Sequence, residues 1–184
     1  RNMLVKTYGS TVFGVDAATI TIEVSVQGGT KYFIVGLPDN AIKESWHRVA
    51  TAIKHNGYYM TRKRVVVNLA PADIRKEGTA YDLPIAIGIL AATDQIIYND
   101  FAKTIIMGEV SLDGEIQAIR GVLPMAIQAQ NDGFTKMLVP KANAREAAIV
   151  RNIEVIGVES LPQVIDYLNG KVEIKPTQVN VRQE

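Results

Sequence analysis

Apolar positions recur along this chain at two spacings that alternate from one segment to the next. Residues 19–26 (TITIEVSV) and 32–35 (YFIV) are β-branched and aromatic, which predicts two strands. The five residues between them, Gln27-Gly28-Gly29-Thr30-Lys31, predict a hairpin turn. Past Gly36-Leu37-Pro38-Asp39 the period lengthens, and Asp39 is a good helix N-cap. Ile42, Trp46, Val49, Ala50 and Ile53 then fall on one helical face, with Lys43, Glu44, His47, Arg48 and Lys54 elsewhere. Asn56-Gly57 ends that helix. Residues 64–69 (RVVVNL) have the continuous apolar centre expected of a strand buried on both faces.

Residues 71–81 are the least regular part of the first half, a loop with Gly78 near its centre. Asp82 is placed to cap the next helix, 83–92 (LPIAIGILAA), where Pro84 fits the first turn. That helix is apolar all round and should be buried. Further on, 104–107 reads as a strand, and 110–116 carries the Asp113-Gly114 signal of a tight type I′ hairpin. Helices at 121–132, 143–150 and 161–168 alternate with strands at 136–139 and 154–158. Early strands followed by this alternation indicate an α+β domain, a mixed sheet packed with helices. From Lys171 the sequence turns polar and aperiodic, so we expect a domain at 3–170 and a linker at 171–184.

Composition narrows the class. The chain has 184 residues, 47% hydrophobic and 21% charged, with a net charge of +1 and no cysteine. That excludes a disordered chain, a disulfide framework, a thiolate nucleophile and a cysteine zinc site. No stretch nears the ~18 apolar residues of a membrane span. The amino terminus lacks an apolar signal segment, so a cytoplasmic protein is expected, with Met3 as its native start after an added Arg1-Asn2. Neutrality hides an uneven distribution. Between Lys54 and Lys76 six basic residues face Asp73 alone, a segment at +5 that leaves −4 for the rest. Such clustering is an anion or nucleic-acid footprint, or else a charged strand edge that deters pairing.

Several signatures are missing. Gly170-Lys171 is followed by Val172, so there is no Gly-x-x-x-x-Gly-Lys-Ser/Thr phosphate loop, and no Gly-x-Gly-x-x-Gly occurs. His47 and His55 stand eight apart without a His-Glu-x-x-His pattern and read as surface or helix-terminal residues. No serine sits in Gly-x-Ser-x-Gly or begins Ser-x-x-Lys. Glu109, Asp113 and Glu115 lie at turn and alternating strand positions that do not converge as a hard cation requires, so no metal is expected.

The informative constellation is 67–86 (VNLAPADIRKEGTAYDLPIA), followed by 107–116 (MGEVSLDGEI), 120–126 (RGVLPMA) and, upstream, 36–45 (GLPDNAIKES). These segments, in order over nearly the whole chain, closely resemble the amino-terminal domain of the YifB/ComM family of magnesium-chelatase-like AAA+ ATPases. The resemblance implies a Lon-protease-like domain, the fold shared with GHMP kinases and one domain of a small-subunit ribosomal protein. It also implies an ATP-hydrolysing motor module beyond the linker, with ATP and magnesium as that module's cofactors and none in this domain.

Lon-type peptidases use a Ser nucleophile and a Lys base, with the Ser seated before a buried helix whose free N–H groups favour an oxyanion. Matching Lys76-Glu77-Gly78-Thr79-Ala80 to the peptidase's Lys-Asp-Gly-Pro-Ser puts Ala80 at the nucleophile position and Leu123 at the lysine position. Asp82 falls where a peptidase has glycine, and as a cap it would compete for the oxyanion's N–H groups. The domain is therefore expected to be non-catalytic. A substitute nucleophile at Thr79 would need an adjacent base, for which Lys76 is nearest; otherwise Thr79 is a loop hydroxyl bonded to backbone.

Two roles follow from the resemblance: a module that scaffolds a ring, and a DNA contact in a hexameric helicase of branch migration, competence and recombination. The expected partners are the AAA+ module of the same chain, further copies in a ring, and DNA, with no membrane. Arg62, Lys63, Arg64, Arg75 and Lys76 are the candidate DNA contacts, gathered on one side only if the loop after the strand folds back. With only Tyr58 and Tyr59 near these charges, phosphate contact is favoured over base stacking. The alternative is a pseudo-peptidase domain that binds protein substrates or partners for the ATPase. A small-molecule role suggested by the family's name has no support in these residues.

Overall fold

The computed structural model describes residues 4–180. Met3 and residues 181–184 of the expected linker lie outside the described residues. The chain opens with β1 (Leu4–Phe13), which the hydrophobic pattern does not predict because Lys6, Thr7, Gly9, Ser10 and Thr11 interrupt it. Its partner makes it a strand. It pairs antiparallel with β2 (Asp16–Gln27) along its whole length, from Leu4 opposite Ser25 to Phe13 opposite Asp16. Gly14, at φ +65°, is the first residue of the two-residue turn, as a type II′ hairpin requires.

The hairpin expected between residues 26 and 32 does not form. β3 (Tyr32–Val35) instead lies parallel to β4 (Arg64–Ala70), and β4 separates it from β2. The connection from β3 to β4 carries α1 (Asn40–Lys43) and α2 (Ser45–His55). Asp39 caps α1 as expected, its Oδ1 accepting the Ile42 N–H at 2.9 Å. β4 is buried on one face only: Val65, Val67 and Leu69 are fully enclosed while Val66, Asn68 and Ala70 are half-buried, because no helix covers that side.

The second half adds α3 (Asp82–Ala92), β5 (Thr104–Ile106), a two-stranded β6 (Glu109–Val110) and β7 (Ile116–Gln117), α4 (Val122–Asn131), β8 (Lys136–Pro140), α5 (Lys141–Ala147), β9 (Glu154–Val158) and α6 (Leu161–Leu168). The main sheet runs β3-β4-β2-β1-β5-β8-β9 and is mixed, with β1, β5, β8 and β9 parallel. α3 lies against β1 and β2, and Ile85, Ile87 and Ile89 are fully enclosed. Each such side chain contributes about 1.5–3 kcal/mol. Gly88 permits this approach, since a Cβ there would stand 2.6 Å from Val24 Cγ2. The β6–β7 turn is not type I′. Asp113 lacks the positive φ that type needs, and Gly114 at φ +94° donates to the Ser111 carbonyl in a longer loop. Along 171–180, the Thr177 N–H donates to the Val155 carbonyl at 2.8 Å and Ile174 packs on the core, so this polar stretch lies against β9.

Candidate functional site

The loop 71–81 is organised by Lys76. Its backbone pairs with the turn after β3, where the Lys76 N–H donates to Leu37 O and the Asp39 N–H donates to Lys76 O, both at 3.0 Å. Its side chain is 0% exposed. The ammonium donates to the carbonyls of Gly36 and Leu69, each at 2.8 Å, and to that of Pro71. Gly36 (φ +104°) and Leu37 (φ +59°) turn the chain here; a Cβ on Gly36 would lie 2.2 Å from Leu69 O. Burial pushes the ammonium pKa below the ordinary lysine value.

Lys76 is therefore neither a surface cation nor a base for Thr79. The Thr79 hydroxyl donates instead to Glu109 Oε1 at 2.6 Å, rather than to backbone. Asp39 ties the same loop from the other side, its Oδ2 accepting the Gly78 N–H at 2.9 Å. Together these contacts form the floor of a cleft of about 780 Å³ that Thr79, Ala80, Glu109, Ile119, Arg120 and Met125 help to line. Ala80, expected at the nucleophile position, lines it. Leu123, on the first turn of α4, is half-buried and is not among the lining residues.

Asp82 does not cap α3. Tyr81 occupies the cap position without a side-chain hydrogen bond, and backbone carbonyls take the helix-start donors: Asp82 N–H bonds Thr79 O at 3.2 Å, and Leu83 N–H bonds Gly108 O at 3.0 Å. Pro84 has no N–H. The Asp82 carboxylate, also 0% exposed, turns to Arg48 of α2. Its Oδ2 accepts Arg48 Nε at 2.8 Å and the Val110 N–H at 3.1 Å, while Oδ1 accepts Arg48 Nη2 at 2.9 Å. Burial raises the Asp82 pKa, with the hydrogen bonds from Arg48 and Val110 opposing. Both oxygens face donors, an arrangement that favours the ionised form against the burial. A third Arg48 bond, from Nη2 to Ala41 O at 2.8 Å, ties α1 into the pair. The hydrophobic pattern leaves Arg48 off the apolar face of its helix and assigns it no partner. Its stripe with Ser45 and Ala52, both fully buried, was the available signal.

The candidate DNA-contact residues do not gather. Arg62, Lys63 and Arg64 are exposed where β4 begins, with the Arg64 guanidinium 5.1 Å from the Phe33 ring centroid. Arg75 is exposed beyond the far end of β4, ion-paired with Glu77 at 3.4 Å. The loop stays at that far end, about 20 Å along a seven-residue strand, so the two groups are separate. The two histidines sit exposed on α2. Asp113 Oδ1 accepts the Glu115 N–H, and among the described residues no three His, Cys, Asp or Glu side chains are grouped as metal ligands. No helix of the described residues is long and apolar enough to cross a membrane.

Comparison with known proteins agrees with the seven-stranded mixed sheet of a Lon-like domain. The family described as Subunit ChlI of Mg-chelatase matches residues 22–143. Competence protein ComM of Haemophilus influenzae is 38% identical over 168 residues, covering 91% of this chain and 33% of that protein. YifB of Escherichia coli K12, an uncharacterized protein, is 38% identical over 168 residues, with 89% and 33% covered. Lon protease 2 of Bacillus subtilis is 30% identical over 148 residues, with 77% and 26% covered. The chain thus spans about a third of the length of the ComM and YifB relatives. It belongs to the family of subunit ChlI of Mg-chelatase, as a Lon-like domain of the YifB/ComM type.

Proposed function

We propose that this chain is a non-catalytic module of a magnesium-chelatase-like AAA+ ATPase, a hexameric DNA helicase of branch migration in competence and recombination. In that role it holds neighbouring subunits of the ring and touches DNA, and the protein works in the cytoplasm. The observation that carries the non-catalytic reading is the start of α3. Ala80 replaces the nucleophile, and the Asp82 and Leu83 N–H groups are already bonded to Thr79 O and Gly108 O. A developing oxyanion would have to displace those carbonyls. Competence protein ComM supports the assignment to competence through its name. ATP and magnesium belong to a further module, since no residues here form a phosphate loop.

Three measurements test this. Purified protein incubated with unfolded casein is expected to leave it intact; cleavage that disappears in Thr79→Ala would overturn the non-catalytic reading. In the full-length protein, cross-linking is expected to join this domain to a neighbouring subunit, and its failure to do so would remove the scaffold role. For DNA contact, the triple change Arg62→Glu, Lys63→Glu and Arg64→Glu in the full-length protein should weaken DNA binding at low salt by at least tenfold, because like charges then face phosphate. Unchanged binding would count against that contact. Arg75→Glu is expected to have no such effect, as Arg75 lies at the other end of β4 beside Glu77.

A further inference from the structure

The end of the sheet where β4 begins holds more than the three cations in sequence there. Lys54 at the end of α2, Lys31 before β3, and Arg62, Lys63 and Arg64 before and at the start of β4 all reach this end. None of the five has a carboxylate within ion-pair range among the described residues, whereas Lys6, Arg48, Arg75, Lys136 and Lys141 all do. Arg64 lies over Phe33, on the sheet face opposite Tyr32 and Trp46, so the surface beside α2 keeps Lys54 and Arg62.

That surface also carries a groove of about 420 Å³ between α2 and residues 58–62, lined by Trp46, Lys54, Tyr58, Tyr59 and Arg62 among others. Tyr59 is 59% exposed, although its backbone is held on both sides by the Gln95 side chain at 2.8–2.9 Å. Trp46 is fixed by stacking on Tyr32 with ring centroids 4.2 Å apart. An exposed aromatic ring on a pinned backbone loses little freedom when a flat partner stacks on it. Sequence reading found too few aromatics beside the charges for stacking. The fold brings Trp46 to Tyr58 and Tyr59 from another element, with Lys54 and Arg62 at the same groove.

We propose that this groove takes single-stranded nucleic acid, with a base stacked on Tyr59 beside Trp46 and the adjoining phosphates held by Lys54 and Arg62. This rests on the DNA reading above and specifies its mode. An acidic peptide would satisfy the cations but would leave the aromatic ring without a stacking partner. Duplex DNA keeps its bases stacked inside the helix, out of reach of the ring.

Trp46 is the single tryptophan of the chain, so its fluorescence reports on the groove directly. Titration with oligothymidylate should quench it, more strongly than a duplex or polyglutamate does. Tyr59→Ala should weaken binding about tenfold, as loss of one base stack does, while Tyr59→Phe should bind as the original. Lys54→Ala should lower the slope of log affinity against log salt by about 0.7. Quenching by polyglutamate as strong as by oligothymidylate, or unchanged binding by Tyr59→Ala, would overturn the proposal. In the full-length protein, if charge reversal at 62–64 weakens DNA binding and Tyr59→Ala does not, DNA contact stands and the stacking groove falls. If neither change matters, both fall.

Discussion

Arg48→Ala is expected to destabilise the domain by about 4 kcal/mol, the range seen when one partner of a buried ion pair is removed. The loss exceeds that of a surface pair because the Asp82 carboxylate is fully enclosed and would lose both Arg48 donors, keeping the Val110 N–H. Arg48 also holds Ala41 O, so the α1 to α2 join loosens with it. The pH dependence gives a second reading of the same change. Asp82 has a folded pKa raised by burial, so above the ordinary aspartate value the folded chain keeps a proton that the unfolded chain has lost. Stability then falls as pH rises through that window. Removing Arg48 takes away the main opposing influence and widens the window upward. Urea denaturation should therefore show the Arg48→Ala deficit shrinking from neutral to mildly acidic pH. A deficit under 1 kcal/mol, or one independent of pH, would refute this account. The double change Arg48→Met with Asp82→Leu should recover most of the stability, since no charge is then buried alone.

Lys76→Met is expected to cost about 3 kcal/mol, because three carbonyls gathered around one ammonium lose their donor together. The loss falls on the β3 turn, the end of β4 and the loop floor of the cleft at once. Limited proteolysis should then cut within residues 71–81 before the rest of the domain opens. Lys76→Arg should not rescue the fold, as the wider guanidinium fork does not fit a site built for a compact ammonium. Here the pH sign runs the other way. Burial lowers the Lys76 pKa, so between the lowered value and the ordinary lysine value the unfolded chain holds the extra proton. Stability rises with pH across that alkaline window in the original protein, and this rise should be absent in Lys76→Met. An unchanged alkaline slope together with full stability would show that Lys76 does not organise the loop.

Both results bear on how the cleft is built. Lys76 and Asp82 flank residues 77–81 in sequence, and their side chains turn into the fold. Around Ala80 these polar groups hold the path from the loop into α3 in shape. Thr79 and Glu109 belong to the same frame, joined across the cleft floor at 2.6 Å.

Much of the architecture is readable from local pattern. α3 is apolar all round and is buried all round. Asp39 is the right residue at the right place to cap α1, and β9 and α6 fall where periodicity puts them. β1 escaped notice because a strand rich in Thr, Ser and Gly has no apolar signal of its own and depends on the neighbour it pairs with. The false hairpin between β2 and β3 had sound turn chemistry, but local sequence carries no term for a third strand arriving between them.

The uneven charge shows the division most clearly. Sequence alone determines that six cations crowd between residues 54 and 76 and that cysteine chemistry is absent. Only the tertiary structure decides what each cation does. Lys76 is drawn inside because three carbonyls converge where a turn, a strand end and a loop meet. Arg75 is carried to the far end of β4, Arg64 is laid over Phe33, and Lys54 is brought from α2 to join Arg62 at an aromatic groove. Burial and long-range pairing are properties of the packed chain, and they sort like residues into unlike roles.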